Sequence, residues 1–348
     1  MIVLTDRMKS PTLRSLSELA AAGLITPSRA LDAVAERYAV AISPDIAALL
    51  GHAAIARQFL PSEAELLTLP QERADPIGDA AHSPVPGIIH RHRDRVLFKA
   101  VAACPVYCRF CFRRETIGPQ SENTLSPAAL DTAFAYIESH PEIWEVILTG
   151  GDPFILSSRR AAEITQRLAA TGHVKIVRWH TRVPVVDPSR ITDDFVAALI
   201  APGVTSWVAL HANHAAEFSP AARRAIARLI DAGIPLVSQS VLLKGVNDDV
   251  ETLEALMRAF VENRIKPYYL HHPDLAPGTS HFRVPIARGR SLMRELRGRL
   301  SGMALPAYVL DIPGGHAKVP LLSDDVEEVA LSHWRVRDHE GRWHEYQD

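Results

Sequence analysis

From Arg95 onward the chain alternates short apolar runs, rich in Val, Ile, Leu and Tyr, with amphipathic stretches of roughly ten to fifteen residues. The runs at 96–101, 145–148, 175–180, 206–210, 235–243, 267–270 and 307–310 read as strands. Strands separated by a helix run parallel, because a tight turn joins only antiparallel neighbours. Six such units of roughly 35 residues each predict an α/β fold, a partial (βα)6 TIM-like barrel. A barrel of this kind carries its chemistry on the loops that follow the C-terminal ends of its strands. Functional residues are therefore sought there.

The flanks have a different texture. Residues 1–90 read as a helical N-terminal region, with helices at 11–22, 27–38 and 44–59. Ser10, Thr26 and Ser43 stand as N-caps ahead of Pro11, Pro27 and Pro44, since proline fits the first helical position. The barrel takes residues 91–320. A C-terminal tail, 321–348, ends in a short β appendage from Leu331.

Composition narrows the function classes. Hydrophobic residues make up 47% and charged residues 22% of 348, enough apolar side chain to fold without staples. The 38 basic and 40 acidic residues nearly cancel, which argues against a nucleic-acid binder held by bulk charge. No apolar run approaches the roughly 20 residues of a membrane span, and the start MIVLTDRMKSPT lacks the apolar core of a leader. A cytoplasmic protein is expected, and three cysteines are too few for a disulfide framework.

Those three cysteines lie in one window, Cys104-Pro-Val-Tyr-Cys108-Arg-Phe-Cys111, directly after the first strand of the rhythm. Chance gives such clustering on the order of once in a thousand. Buried apolar thiols, or a zinc site completed by a histidine, are the bland readings; an iron–sulfur cluster is favoured. A [4Fe-4S] cube has four iron corners, so three thiolates leave one open to a substrate or cosubstrate. Thr149-Gly150-Gly151-Asp152-Pro153 follows the second strand. Alone it is an ordinary turn, yet glycines without Cβ also let backbone approach a ligand. Asp311-Ile-Pro-Gly314-Gly315-His-Ala-Lys318 follows the last strand. Taken alone its lysine is a solvated loop residue, yet a lysine on a glycine-rich loop is also the flexible amine that a pyridoxal phosphate Schiff base requires.

The spacing CxxxCxxC with Phe110 before the third cysteine resembles the radical S-adenosylmethionine superfamily. Together with Gly-Gly-Asp-Pro and the glycine–lysine loop, it resembles the lysine 2,3-aminomutase family from about His82 to the tail. Further matching stretches are His90 to Phe98, Thr181-Arg-Val-Pro184, Leu210 to His214, Gln239 to Asp248 and Pro267 through Asp274 to Arg283.

This resemblance implies a [4Fe-4S] cluster on Cys104, Cys108 and Cys111, and S-adenosylmethionine bound by Gly150, Gly151, Asp152, His211 and Gln239. It implies pyridoxal 5′-phosphate on Lys318, with Arg91 and Arg95 holding the phosphate. Arg113 is implied to pair with the substrate α-carboxylate, and Asp274 and Asp311 with the ε-ammonium of lysine. The reaction implied moves the α-amino group of L-lysine from C2 to C3, giving β-lysine, in a homo-oligomer fed by a reductant such as flavodoxin or ferredoxin.

Longer members of the family bind structural zinc through extra cysteines; this chain has none left, so zinc is not expected. The short architecture is also similar to the branch that makes β-lysine for elongation factor P, although the paired acids favour free lysine. Another amino acid is a further alternative: glutamate would set a carboxylate against Asp274 and Asp311, a like-charge clash. A catalytically inert cluster-binding module is the reading from a different class.

Overall fold

A computed structural model describes residues 11–118, 124–338 and 340–348. Its N-terminal region holds short helices, Leu16–Ala21, Arg29–Arg37, Pro44–Ala47 and Ala53–Phe59. Ser43 caps as expected, its hydroxyl accepting from Ile46 N with Pro44 at the first position. The other starts differ. Ser10 lies outside the described residues, and the first described helix starts at Ser15, which forms a reciprocal capping box with Glu18. Thr26 caps nothing: Ser28, in extended backbone, accepts from Leu31 N and leaves Pro27 outside the helix. The run 44–59 breaks at Gly51, where Leu49 and Leu50 bond back only three residues, to Ile46 and Ala47. Three-residue bonds tighten and end a helical turn.

Among the described residues nine strands form one sheet in sequence order. They are β1 (Ile88–His92), β2 (Arg95–Val101), β3 (Glu145–Gly150), β4 (Ile176–Thr181), β5 (Thr205–His211), β6 (Leu236–Val241), β7 (Ile265–His271), β8 (Ala307–Asp311) and β9 (Lys318–Pro320). Strands β2 to β8 run parallel, and β1 and β9 are antiparallel edges. Helices Pro127–Glu138, Ser158–Ala170, Asp193–Ala198, Pro220–Asp231, Val250–Glu262 and Ile286–Arg299 return the chain after β2 to β7, the six expected βα units. Ser126 and Ser219 each cap ahead of proline, and Ser157, Thr192 and Asp249 cap the helices between. β1 starts inside the region expected to be helical.

The strands alternate in burial. Val96, Phe98, Val146, Leu148, Val177 and Trp179 are at most 1% exposed beneath the helices. Arg95, Leu97, Lys99, Arg178 and His180, on the other face, are only half-buried. The lumen is thus polar and partly open, unlike the packed interior of a complete barrel.

Strands β1 and β9 do not pair with one another among the described residues. The segment 75–82 spans their gap: Gly314 N donates to Pro76 O at 2.9 Å, and Arg91 Nη2 donates to Ile77 O at 2.6 Å. Gly78 permits this crossing. Its φ is +67°, and a Cβ there would lie 2.4 Å from Gly314 O.

The β appendage begins at Val326 and forms a meander of β10 (Val326–Ala330), β11 (His333–Arg337) and β12 (Trp343–Gln347). Trp334, Val336 and Tyr346 bury against the main body. Helix Ile286–Arg299 starts at Pro285, which offers no capping side chain; the carboxylate of Asp348 accepts from Ile286 N instead. No helix among the described residues is long and apolar enough to cross a membrane.

Candidate active site

The cysteine loop leaves the C-terminal end of β2 and rests on the N-terminal region. Tyr107 N donates to Ala41 O at 3.1 Å, and Arg109 N to Gln58 O at 2.8 Å. Arg109, between the second and third cysteines, sends Nη1 to Ala39 O at 2.8 Å and Nε to both oxygens of Glu65 at 3.0 Å. Arg114 joins the same carboxylate and lies over the Tyr38 ring at 3.5 Å. Glu65 is fully buried, so two guanidiniums and one carboxylate form a closed charge cluster that seats the loop.

On the barrel side the loop packs against Gly150 and Gly151. Gly151 N donates to Val101 O at 2.8 Å, and Asp152 N to Ala103 O at 3.0 Å. A Cβ on Gly151 would come within 2.2 Å of Ala103 O. The glycines therefore bring β3 against the cysteine loop itself, a reason the turn signal did not reveal. Asp152 is buried and already engaged. Its Oδ1 accepts from Thr181 Oγ1 at 2.7 Å and Phe154 N at 3.0 Å, and its Oδ2 from Arg182 N at 2.7 Å. It ties β3 to the end of β4.

Arg182 follows β4 and is buried. It donates to Cys108 Sγ at 3.0 Å, to Glu217 at 2.7 Å and to Gln58 at 2.6 Å. Nothing in the run Thr181-Arg-Val-Pro184 marks this arginine for such a task. Burial raises all three thiols, Cys111 to about 11 and Cys104 well above its ordinary value, where Asp152 and Cys111 add to the rise. Iron loading must therefore displace protons. Among the described residues no three His, Cys, Asp or Glu side chains surround a single ion. A cube takes one thiolate at each of three irons, so this donor set fits a cluster.

His211 and Gln239 are register partners at the ends of β5 and β6. His211 accepts or donates at Nε2 with Asn213 Oδ1, 3.2 Å away, and packs on Phe110, ring centres 5.7 Å apart. Burial, then the Arg182 charge, holds it well below the ordinary histidine range, so it is neutral.

The second half of the site gathers at the ends of β7, β8 and β9. Lys318 Nζ pairs with the Asp311 carboxylate, lies 3.4 Å from His271 Nδ1, and stands 5.3 Å from the centre of the Tyr269 ring. His271 and Tyr269 carried no expectation from sequence. Burial works against ionised Asp311, but Lys318 and His271 hold it well below the usual carboxylate range. Burial lifts Asp274 to about 8, and the Asp311 charge adds to the rise. One acid of the pair is ionised and the other protonated.

Arg113 and Arg91 meet on a residue not singled out from sequence, Asp79. Arg113 Nε donates to Asp79 Oδ2 at 3.0 Å and Nη1 to Thr149 Oγ1 at 3.2 Å; Arg91 Nη2 reaches Asp79 Oδ1 at 3.3 Å. Arg91 Nε is buried with no hydrogen-bond partner, and a Cβ on Gly315 would lie 2.7 Å from it. That orphan donor beside a Gly-Gly loop, three residues before Lys318, fits a phosphate. Arg95 stands apart. It opens β2, at the far end of the lumen from the cysteine loop, and pairs with Asp94 at 2.7 Å. The turn between β1 and β2 puts the two arginines on neighbouring strands, close to register, with side chains turned to different partners.

The radical SAM superfamily profile matches residues 99–257. L-lysine 2,3-aminomutase of Acetoanaerobium sticklandii is 38% identical over 282 residues, 81% of this chain and 67% of that protein. The chain belongs to the lysine 2,3-aminomutase family. The Fusobacterium nucleatum enzyme of the same name is 37% identical, covering 82% and 67% of the two chains, and the Methanococcus maripaludis enzyme is 37% identical, covering 87% and 71%. As a radical SAM member of the aminomutase family, the protein is an isomerase, and a [4Fe-4S] cluster with S-adenosylmethionine follows from the superfamily.

Proposed function

We propose that this aminomutase converts L-lysine to β-lysine, moving the amino group from C2 to C3 with pyridoxal 5′-phosphate held on Lys318. The observation that carries the reading is the ion pair of Lys318 with Asp311, with Asp274 buried close enough for the two acids to act on each other. A buried ammonium needs such partners, since an unpaired charge in a dry pocket costs several kcal/mol.

When bound, the cluster and S-adenosylmethionine would supply radical initiation, and pyridoxal phosphate would supply a π-system for the nitrogen shift. The chain's own residues do the rest. Cys104, Cys108 and Cys111 hold three irons, and Arg182 keeps Cys108 oriented. Gly150, Gly151, Asp152, His211 and Gln239 would line the cosubstrate's place, with Asp152 as the acceptor for its amino group. Arg91 would offer its orphan Nε to the phosphate, with Arg95, across the β1–β2 hairpin from it, as the second cation.

Arg113 receives the α-carboxylate through N–H groups not spent on Asp79 and Thr149. Asp311 and Asp274 take the ε-ammonium, whose arrival drives the Asp274 proton off. Whenever it is not bound to the cofactor, the Lys318 ammonium would rest against Asp311, with His271 beside it. Burial and the Lys318 charge hold His271 below its ordinary range, so it is a neutral acceptor. An electron carrier such as flavodoxin or ferredoxin feeds the cluster, and free lysine is favoured over a protein-bound pathway by the acid pair.

Anaerobic, iron-reconstituted protein should be brown, should form β-lysine from lysine once reduced, and should be fixed by borohydride at Lys318. A Lys318→Ala variant that isomerised lysine at the wild-type rate would end the assignment.

A further inference from the structure

We propose that Asp79 is the positioning residue for Arg113: it fixes the guanidinium that discriminates substrates carrying a free α-carboxylate, and it links that guanidinium to Arg91. This rests on the reading of Arg113 given above. The carboxylate sits on the segment that closes the gap between β1 and β9, and it is itself held rigidly. Asp79 N donates to Asp75 Oδ1 at 2.9 Å, Ala80 N donates to Asp75 Oδ2 at 2.8 Å, and Asp79 O accepts from Ser83 Oγ at 2.9 Å and His82 N at 3.2 Å.

From that platform each carboxylate oxygen receives one arginine, Oδ2 from Arg113 and Oδ1 from Arg91. Side-chain exposures are 10% for Asp79, 11% for Arg113 and 14% for Arg91, so water screens these charges poorly. Arg113 is anchored a second time by Thr149 on β3. A planar guanidinium fixed at Nε and at one Nη1 hydrogen has a set orientation, and only its remaining N–H groups face a ligand. Without Asp79, Arg113 would keep one neutral acceptor, and two guanidiniums would face each other, with Lys99 nearby, across a half-buried lumen. Lys99 is itself lowered by burial and then by the Arg113 charge, with Asp79 opposing. Arg91 shares the carboxylate, so the grip on the α-carboxylate and the Gly315 loop are joined through one side chain.

The test compares lysine with lysinamide, which lacks the carboxylate, on reconstituted holoenzyme. Equilibrium binding is measured by calorimetry, and KM and kcat are measured beside it. Wild type should prefer lysine. Asp79→Asn should raise the Kd and KM for lysine about tenfold, as expected for a lost charged hydrogen bond, and leave those for lysinamide and the iron content nearly unchanged. Asp79→Glu should restore part of the preference. Thr149→Val should lower the preference in the same direction by a smaller factor, which keeps the idea testable if Asp79→Asn does not fold.

A variant whose affinities for both compounds fall equally would make Asp79 merely structural and overturn the proposal. So would an intact preference in Asp79→Asn, or in Thr149→Val when it alone folds, while Arg113→Gln abolishes it. Wild type that binds both compounds alike would instead overturn the assignment of Arg113, and the role of Asp79 with it.

Discussion

The carboxylate of Asp311, the last residue of β8, carries the amine of Lys318, the first residue of β9, and the two are register partners across the hairpin. That pairing splits the acid pair. Asp311 stays ionised against two basic neighbours, and Asp274, beside an anion in a buried pocket, is pushed up to about 8 from an ordinary 3.8.

A pH dependence follows from the sign of the Asp274 shift. The folded chain keeps a proton on Asp274 that the unfolded chain releases near pH 4. Between those values the folded state binds more protons, so the stability this group contributes is full at low pH and is lost as pH rises through about 8. In ligand-free protein the thermal midpoint of Asp274→Asn should therefore gain on wild type from pH 5 to pH 8. Lysine binding at neutral pH should release about one proton, read by calorimetry in two buffers of different ionisation enthalpy. A midpoint difference that is flat with pH would show that Asp274 is not protonated in the fold.

Removing either acid should act on lysine affinity rather than on the cluster. With Asp311→Asn the ammonium keeps one carboxylate, Lys318 loses its resting partner, and His271 loses the anion 3.4 Å away. KM for lysine should rise at least tenfold, since losing a charged partner costs about 1.5–3 kcal/mol. Iron per chain should be unchanged. A variant that lost iron instead would place Asp311 in the support of the barrel, not in the substrate pocket.

Gly151→Ala tests the contact between β3 and the cysteine loop. The added Cβ would sit 2.2 Å from Ala103 O, a backbone atom that cannot swing aside. The loop must shift or the strand must open, at about 1–3 kcal/mol. Iron retention after gel filtration and the thermal midpoint should both fall, with the larger loss in iron. Normal iron retention would mean that the loop tolerates displacement.

Some of this was legible in the chain before its structure, and the reasons differ by element. Parallel strands buried under helices write themselves as apolar runs, so β2 to β8 and their six crossovers stand out. Three rare residues in one window are equally plain. β1 is not: Ile-Ile-His-Arg-His is apolar over only two residues, and its pairing with β2 is long-range information. Arg91 and Arg95 sit almost opposite one another across the β1–β2 hairpin, where His92 pairs with Arg95, yet the Arg91 side chain turns to Asp79 and the glycine loop and that of Arg95 to Asp94. Asp79 lies on an irregular segment with no period to mark it, and its task appears only when the barrel's two edges are brought within reach of one segment. Asp152 stood out in the sequence through its Gly-Gly-Asp-Pro turn, but its part as a strut did not, because the donors that bind it come from the end of β4 as well as from its own turn.

Glu65 offers the most direct test of how the N-terminal region serves the chemistry. It comes from a single turn, Glu63–Leu66, yet its fully buried carboxylate takes both Arg109 and Arg114 of the cysteine loop. Glu65→Ala leaves two guanidiniums buried without their counter-ion, and breaking a buried pair from one side costs about 3–5 kcal/mol. Glu65→Gln keeps the shape and one acceptor oxygen, so it should fall between wild type and alanine. Both should lower the thermal midpoint. If the charge cluster seats the loop, they should also slow iron uptake during anaerobic reconstitution, measured as cluster absorbance against time. Adding excess iron and sulfide should not restore wild-type occupancy in Glu65→Ala, because the defect is in the geometry of the three thiols. A destabilised variant that still filled with iron at the normal rate would separate the stability role of Glu65 from the cluster and refute the seat.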